Sequence, residues 1–325
     1  MKSYHKISSS NIHICFLGCG KICNSHAGTL RSIQTDIKIS FASREKSKAE
    51  QYNKKHHGQM AFDSYESAIS DKDVNVVFIT TPPDSHYDLT KKAIQHGKHV
   101  ILEKPPFFSS QQMNEIGKLS DEKRLHLLIA ENYFYKPLLK KLKSLLEEDV
   151  IGKSLIININ AMKKQLSNDW RADENVCKHG ALFEGGIHWV NFINNLGLNL
   201  INVTGFFTDK SAMDKTSQLV FKSAKGVIVN LFYSWEVNTI FKGLRLSKIF
   251  GTEGSITFET NGLFILLRGK RTRIIFPGLK NITGRRPMLA DFLKCIESGT
   301  SPQLTWQIAT QDLVYIEKAY EGIES

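Results

Sequence analysis

A lysine at the end of an apolar segment is the residue of this sequence best placed for chemistry. Residues His99–Leu102 form a short apolar segment, and Glu103, Lys104 and Pro105 follow it directly. A lysine prefers to extend its ammonium group towards water, whereas ligands bind at the carboxyl ends of strands in open α/β sheets. On its own, the segment is explained equally well by a surface lysine in a proline-rich turn. The neighbouring segments favour an active-site lysine.

A glycine-rich turn lies between a predicted strand and a predicted helix. Residues 12–17 are an apolar run typical of a strand buried on both faces, and residues 21–33 are compatible with a helix. Between them, Gly18 permits a tight turn, and Gly20 lets backbone N–H groups approach a pyrophosphate at the helix N-terminus. The third position of this fingerprint is normally Gly or Ala, but here it is Cys23. The segment therefore predicts a dinucleotide site with one departure from the pattern.

The end of the second predicted strand, residues 37–42, bears on the choice of dinucleotide. NAD-preferring domains place an acidic residue there for the ribose 2′-hydroxyl, whereas a nearby arginine accommodates the 2′-phosphate of NADP. This strand ends at Ser43 and Arg44, with Lys46 and Lys48 behind them. Because an arginine can bind a phosphate through two parallel N–H bonds, the pattern favours NADP(H) over NAD(H). The alternative is that Arg44 only covers a solvated helix face.

Strand and helix patterns alternate from residue 11 to residue 150. A third strand, 74–81, is stopped by prolines, a helix runs towards Gly97, and residues 99–102 and 125–130 are further strands. This alternation predicts an α/β domain with a doubly wound parallel sheet over residues 1–131.

The pattern changes in the second half of the chain. Strands are predicted at 154–159, 217–221, 226–232, 245–250 and 255–259, and helices at 288–297 and 306–320. Strands this close in sequence, joined by short turns, favour a mainly antiparallel sheet. We expect a second, α+β domain over residues 132–325, with its C-terminal helices free to pack back towards the first.

Composition restricts the class of protein. The 325 residues suffice for two domains with a substantial core. The net charge of +11 comes from scattered lysines without a nucleic-acid-binding motif, so a nucleic-acid partner is disfavoured. No apolar run approaches the roughly 20 residues of a membrane span, and the N-terminus lacks the apolar region of a signal peptide. The chain has five cysteines, and Cys177 with the nearby His179 makes only half of a metal site. We therefore expect free thiols in a reducing cytoplasm and no bound metal.

An ordered set of motifs extends over nearly the whole chain. It comprises Gly18–Ile22 with His26, Tyr65-Glu66, Val77–Pro83 with His86, Gly97–Val100, Glu103–Pro105, Glu131–Phe134 with Pro137, Ile151–Lys153, Trp170-Arg171, Gly180–Leu182 with His188, and Phe250–Gly254. This set closely resembles the glucose–fructose oxidoreductase / inositol dehydrogenase (Gfo/Idh/MocA) family of NAD(P)-dependent oxidoreductases. The resemblance implies an N-terminal Rossmann doubly wound parallel sheet and a C-terminal α+β domain with a large, mainly antiparallel open sheet. One face of that sheet would make the contacts of a homodimer or homotetramer.

The resemblance also implies the roles of individual residues. His188 would accept the proton, Lys104 would hydrogen-bond the reacting oxygen, and Glu184 would orient His188 from the position where the family has an aspartate. The extra methylene of Glu184 moves its carboxylate outward, so we expect the geometry between this carboxylate and His188 to differ from that of the family. If this segment is an α-helix, Glu184 and His188 are four residues apart and lie on one face of it. Gly185 and Gly186, each costing about 1 kcal/mol in a helix relative to Ala, suggest that a large group approaches the backbone there. The expected cofactor contacts are Gly18, Cys19, Gly20, Lys21, Ile22, Ser43, Arg44, Thr80, Thr81, Pro82, His86, Glu103, Lys104, Asn132, Trp170 and Arg171.

The activity that the resemblance implies is reversible hydride transfer. The partners would be the nicotinamide and a secondary alcohol or ketone carbon of a sugar, an inositol or a similar small, polar, cyclic substrate. Two alternatives exist within the same fold: a non-catalytic regulator that senses sugars, and an enzyme that cleaves glycosides by oxidation, elimination and re-reduction. Lys104 and His188 are both present, which disfavours the regulator.

Overall fold

Six parallel strands form the first sheet. The computed structural model describes residues 4–165, 179–209, 213–239 and 243–321. The strands run in the order β3-β2-β1-β4-β5-β6, which is the Rossmann order. They are β1 (His13–Leu17), β2 (Lys38–Ala42), β3 (Ala61–Phe62), β4 (Val76–Ile79), β5 (His99–Leu102) and β6 (Leu127–Ile129). Every residue of β1, β4, β5 and β6 is buried, because helices flank a parallel sheet on both faces.

Nine helices are described. They are α1 (Lys21–Ile33), α2 (Lys46–Lys55), α3 (Tyr65–Ser70), α4 (His86–Gln95), α5 (Ser110–Glu122), α6 (Pro137–Glu147), α7 (Ile187–Asn194), α8 (Arg285–Ser298) and α9 (Trp306–Glu321). A π-helical turn, Leu182–Gly186, leads directly into α7. Serine side chains cap two of the helices: Ser64 accepts a backbone N–H at the start of α3, and Ser109 does so at α5. None of the described helices is both long and apolar enough to cross a membrane.

Eight strands form the second sheet, in the order β14-β13-β12-β11-β7-β10-β9-β8. They are β7 (Ser154–Met162), β8 (Leu200–Phe207), β9 (Thr216–Ser223), β10 (Ile228–Ser234), β11 (Leu246–Gly251), β12 (Ser255–Glu259), β13 (Ile265–Arg268) and β14 (Thr272–Ile275). All neighbours pair antiparallel except β7 and β10, which are parallel. Buried residues alternate with less buried ones along β9 and β10, as expected for a sheet with one open face.

The chain divides into two compact units. The first comprises Met1–Glu131 and Arg285–Thr310, and the second comprises Asn132–Gly284 and Gln311–Ser325. In the first unit, the Arg285 guanidinium at the start of α8 donates to the Ser25 hydroxyl on α1 at 2.5 Å. The Trp306 ring packs on α5 so closely that a Cβ added to Gly117 would lie 2.4 Å from it. A late part of the sequence therefore contributes to the core of the first unit.

The expected fold class is confirmed, with corrections in detail. The predicted third strand is β4, because the two-residue strand β3 is too short to show a periodic pattern. Three strands were not predicted in the second sheet: β8, β13 and β14. β14 is one of the two edge strands and carries mostly exposed residues, so it lacks the apolar alternation on which strand prediction depends.

Candidate functional site

The glycine turn is fixed between two strand ends. Gly18 has φ of +102°, a conformation that favours glycine. A Cβ at Gly18 would lie 3.1 Å from the backbone nitrogen of Thr81. The Gly18 N–H donates to the Ala42 carbonyl at 3.0 Å, and the Thr80 hydroxyl donates to the Gly18 carbonyl at 2.8 Å. The ends of β2 and β4 thus hold the turn on both sides.

The start of α1 offers an open backbone surface. No side chain among the described residues caps this helix at Gly20, and a Cβ on Gly20 would meet no described atom within 4 Å. The first N–H groups of a helix lack partners within the helix, and they carry the positive end of its dipole. Uncapped N–H groups beside open space fit a dinucleotide pyrophosphate. Gly20, Lys21 and Ile22, which were predicted to contact the cofactor, lie at this uncapped helix start.

His86 connects the ends of β4 and β5. One ring nitrogen, Nε2, lies 2.9 Å from the Thr81 carbonyl, and Nδ1 lies 2.9 Å from the Pro105 carbonyl and 3.1 Å from that of Pro106. The residue is fully buried, and burial lowers the pKa of His86 although these carbonyls favour the charged ring. Both ring nitrogens face backbone carbonyls of the first unit. His86 therefore positions the loops that follow Thr81 and Lys104, and its contact with the cofactor stays a prediction.

Glu103 joins the lysine loop to the glycine-turn helix. Its Oε1 lies 2.5 Å from Nε2 of His26 on α1, and its Oε2 accepts the backbone N–H of Lys104 at 3.0 Å. Burial raises the pKa of Glu103, but the bond and charge of His26 and the charge of Lys104 outweigh it, so this pKa lies below its ordinary value. The carboxylate is thus ionised at neutral pH. Like His86, it positions the loop. Lys104 itself is half-buried, and the peptide bond between it and Pro105 is cis.

The end of β2 presents an arginine. Arg44 is exposed, and Ser43 is buried with its hydroxyl accepting the Glu45 N–H at 3.2 Å. Burial raises the pKa of Tyr65, while the charge and hydrogen bond of the Arg44 guanidinium act in the opposite direction, which places Arg44 beside the Tyr65 phenol. The Glu45 carboxylate pairs with the Lys48 ammonium at 2.8 Å. Arg44 therefore lies beside the Tyr65 phenol, whereas Lys48 is paired with Glu45, the residue that precedes α2.

These residues occupy one edge of the first sheet. Gly18, Ser43, Thr80 and Glu103 each come directly after a strand, and the strands concerned, β1, β2, β4 and β5, are neighbours. In parallel strands the carboxyl ends share an edge, which is where open α/β sheets bind ligands. The first unit therefore brings together the predicted cofactor residues from Gly18 to Lys104.

In the second unit, Glu184 lies in the π-helical turn that precedes α7, and it is buried. The large group expected beside the glycines is the Tyr233 phenol of β10: a Cβ on Gly185 would lie 2.1 Å from its oxygen. The Trp235 indole donates to that oxygen at 3.0 Å. Burial, and then the negative charge of Glu184, raise the pKa of Tyr233. The expected α-helical arrangement of Glu184 is corrected to a π-helical one, which the two glycines permit.

His188 lies on the first turn of α7 and is stacked against an aromatic ring. Its imidazole is parallel to the Tyr133 ring, with centroids 4.3 Å apart and an angle of 11° between the planes. The Trp189 ring meets Tyr133 edge-on at 5.0 Å, and the Lys136 ammonium lies 4.3 Å from the centroid of Tyr133. The stack fixes the plane of the imidazole, while His188 remains half-buried.

Asn132, Trp170 and Arg171 are also among the residues predicted to contact the cofactor. The Asn132 amide donates to the Thr283 carbonyl. Trp170 and Arg171 lie outside the described residues. Sequence reasoning missed Tyr233 and Tyr133 as parts of the site. The paired glycines signalled a large neighbour but not its identity, and no spacing pattern connects Tyr133 with His188.

No group of three or more metal-binding side chains occurs in the part of the chain that the structure describes. Its thiols are those of Cys15, Cys19, Cys23 and Cys295, all reduced.

Two family models match the chain. A model described as an oxidoreductase family with an NAD-binding Rossmann fold matches residues 12–131, and the GFO/IDH/MocA C-terminal domain matches residues 139–257. A trans-1,2-dihydrobenzene-1,2-diol dehydrogenase of Xenopus laevis is 22% identical, covering 91% of this chain and 92% of its own length.

Solved structures share the fold. An oxidoreductase of Thermotoga maritima has a TM-score of 0.85 at 23% identity, with 96% of each chain covered. The WlbA dehydrogenase of Chromobacterium violaceum, in complex with NADH and UDP-GlcNAcA, has a TM-score of 0.85 at 18% identity. That comparison covers 100% of this chain and 97% of the other. At these identities the likeness shows a common architecture.

Proposed function

The chain belongs to the Gfo/Idh/MocA family of NAD-binding oxidoreductases, and from that premise we propose that it is an NADP(H)-preferring dehydrogenase. Its substrate would carry a secondary alcohol or ketone on a small, polar ring, such as a sugar or inositol. One observation carries the proposal: the Glu103 carboxylate joins the Lys104 loop to the helix of the glycine turn at one sheet edge. A family relative acts on a cyclic diol, and a structural neighbour holds a nucleotide sugar. Both support a ring that bears hydroxyl groups.

The residues of this chain would handle one proton and one oxygen. A bound nicotinamide dinucleotide supplies the carbon that takes or gives the hydride. In the oxidation direction, His188 accepts the hydroxyl proton, and Lys104 donates a hydrogen bond to the same oxygen. Glu184 holds the orientation of His188, and the stacked Tyr133 ring keeps the imidazole plane fixed. In the reduction direction, His188 returns the proton to the oxygen as the carbonyl becomes an alcohol.

The Lys104→Met variant is expected to lose turnover and keep cofactor binding. Wild-type protein should consume NADPH with a ketone from a panel of inososes and ketoses, and the variant should lower kcat by about 10²-fold or more, a typical acid–base contribution. NADPH titration should give nearly unchanged affinity, because the loop stays held by Glu103. A kcat near the wild-type value would remove Lys104 from the reaction. Sugar release without NADPH consumption would indicate the glycoside-cleaving alternative. The absence of turnover with every substrate would indicate the non-catalytic regulator.

Replacing His188 is expected to cost more activity than replacing Glu184. His188→Ala removes the proton acceptor, whereas Glu184→Gln retains a hydrogen-bonding group of similar shape and changes only the orientation and basicity of the imidazole. Steady-state kinetics across pH should show the larger loss of kcat for His188→Ala and a displaced pH profile for Glu184→Gln. Full activity of both variants would mean that residues 180–197 have a structural role only.

NADPH is expected to bind more tightly than NADH. Arg44 is exposed at the end of β2, beside the Tyr65 phenol, so its guanidinium can form charge-assisted bonds to a 2′-phosphate. One such bond contributes about 1.5–3 kcal/mol, which corresponds to roughly tenfold to a hundredfold in affinity. Ionic screening at an exposed site favours the lower figure. Fluorescence titration of both cofactors measures the ratio.

The Arg44→Ala variant provides the control for this ratio. It should bring the two affinities together, and Lys48→Ala should not, because Lys48 is paired with Glu45. Equal affinities in the wild type would contradict the role of Arg44. A preference that survives Arg44→Ala but not Lys48→Ala would assign the phosphate to Lys48.

We further propose that the open face of the second sheet binds a second copy of the chain. Three cross-strand neighbours on β7, β10 and β11 form an apolar row: Ile156, Ile228 and Phe250, which are 41%, 42% and 37% exposed. Contiguous exposed apolar surface of this kind is typical of interaction sites. Sedimentation should show a dimer or tetramer that Ile228→Lys dissociates. Leu263→Lys, an exposed position in the turn after β12, is the matched control and should leave the assembly unchanged. A monomeric wild type would contradict the proposal.

A further inference from the structure

The glycine that opens the segment before α7 lies directly against a loop of the second unit. Gly180 belongs to the motif Gly180–Leu182, to which the proposed function gives no role. A Cβ on Gly180 would lie 2.1 Å from the backbone oxygen of Asp214 and 2.2 Å from its backbone nitrogen. Since backbone atoms cannot move aside as the end of a flexible side chain can, glycine is required at this close approach. The motif glycine therefore marks a fixed contact with Asp214.

Asp214 binds this segment through its backbone and through its side chain. Its carbonyl accepts the Ala181 N–H at 2.7 Å, and its Oδ2 accepts the Leu182 N–H at 3.0 Å. Leu182 is the first residue of the π-helical turn that contains Glu184. Because the first N–H groups of a helix have no partner within it, a carboxylate that accepts one of them stabilises the turn at its start. Asp214 provides this bond from the loop between β8 and β9.

The other oxygen of Asp214 is bound by the last turn of the C-terminal helix. The Tyr320 phenol of α9 donates to Oδ1 at 2.5 Å, and Asp214 is only 1% exposed. The Tyr320 ring is stacked with the Phe207 ring, with centroids 5.1 Å apart, and with the His179 ring at 5.5 Å. Burial raises the pKa of Asp214, and the bonds from Tyr320 and the Leu182 N–H act in the opposite direction. A buried carboxyl group needs such partners, so removing either one should disturb its position.

The loop of Asp214 is also connected to the phenol that packs on Gly185. The carbonyl of the next residue, Lys215, accepts the backbone N–H of Trp235 at 2.9 Å. The Trp235 indole donates to the Tyr233 phenol at 3.0 Å. The π-helical turn is thus held at its start by Asp214 and at Gly185 by Tyr233.

We infer that Asp214 and Tyr320 are positioning residues for the candidate acid–base pair. Tyr320 fixes the Asp214 carboxylate, and Asp214 fixes the start of the turn that carries Glu184. The orientation of the His188 imidazole by Glu184 then depends on the last turn of the C-terminal helix. This role rests on the proposed function, in which His188 moves the proton. A small displacement of a catalytic group lowers the rate of the chemical step without necessarily weakening substrate binding.

Tyr320→Phe tests the pair and keeps the stacked ring. With a ketone that the wild type reduces, kcat should fall by about tenfold or more, while KM and the affinity for NADPH stay nearly unchanged. Tyr315→Phe is the matched control on the same helix, because it removes a buried phenol that donates to the Leu200 carbonyl at 3.2 Å. Its kcat should equal that of the wild type. A wild-type kcat in Tyr320→Phe, or an equal loss in Tyr315→Phe, would overturn the positioning role.

Two substitutions of Asp214 grade the effect. Asp214→Asn keeps one side-chain oxygen, so its amide N–H₂ group faces either the Tyr320 phenol or the Leu182 N–H without being able to accept from it. Asp214→Ala removes both acceptors. The kcat should therefore decrease from the wild type to Asp214→Asn and further to Asp214→Ala. Equal kcat in all three proteins would contradict the inference.

Amide hydrogen exchange provides a measurement that needs no substrate. The exchange of the Leu182 amide should be faster in Asp214→Ala and Tyr320→Phe than in the wild type, and unchanged in Tyr315→Phe. Wild-type exchange in both of the first two variants would overturn the inference, as would faster exchange with an undiminished kcat. Absence of turnover by the wild type with every substrate would contradict the proposed function. The exchange rates would then still decide whether Asp214 and Tyr320 hold the turn.

Discussion

The buried carboxylate of Glu103 is the interaction on which the candidate site depends. Removing a carboxylate from water costs several kcal/mol unless its oxygens gain partners. Here one oxygen binds His26 on α1, and the other accepts the N–H of Lys104. Because His26 follows the glycine turn on the same helix, one side chain fixes both the turn and the lysine relative to the sheet. His86 adds a second connection, from the end of β4 to the backbone after Lys104. The position of Lys104 thus depends on neighbours whose side chains bind other parts of the first unit.

The sequence was sufficient to locate this edge of the sheet. β1 and β5 were predicted within one residue, because completely buried strands are mostly apolar, and a glycine follows β1 while prolines come soon after β5. The direction in which a motif residue points was not predictable. His86 stands in a family motif and was expected to contact the cofactor, but both of its nitrogens face carbonyls that only the folded chain brings together. The pairing of His26 with Glu103 is equally invisible in the sequence, since it joins residues from two separate helix–strand units.

In the second unit, the sequence indicated a close approach but not the residue that makes it. The consecutive glycines Gly185 and Gly186 correctly indicated a close approach, because a helix accepts their cost only where side chains would collide. The approaching group is Tyr233, from a strand of the second sheet, and nothing in the local sequence identifies it. The expectation that Glu184 and His188 share the face of an α-helix also assumed regular geometry. Hydrogen bonds in a π-helix run from residue i to i+5, so the turn that contains Glu184 is wider than an α-helical turn. The side chain of Glu184 is one methylene longer than the aspartate of the family.

Cys23 illustrates how a departure from a fingerprint can be neutral for the fold. The fingerprint requires a small residue at this position because α1 packs closely on the sheet. A buried free cysteine behaves as a small apolar residue, and Cys23 is fully buried without disturbing the order of the strands. Alanine would satisfy the packing equally well, so packing does not explain the sulfur. The departure therefore leaves the order of the strands and the uncapped start of α1 as the fingerprint predicts them.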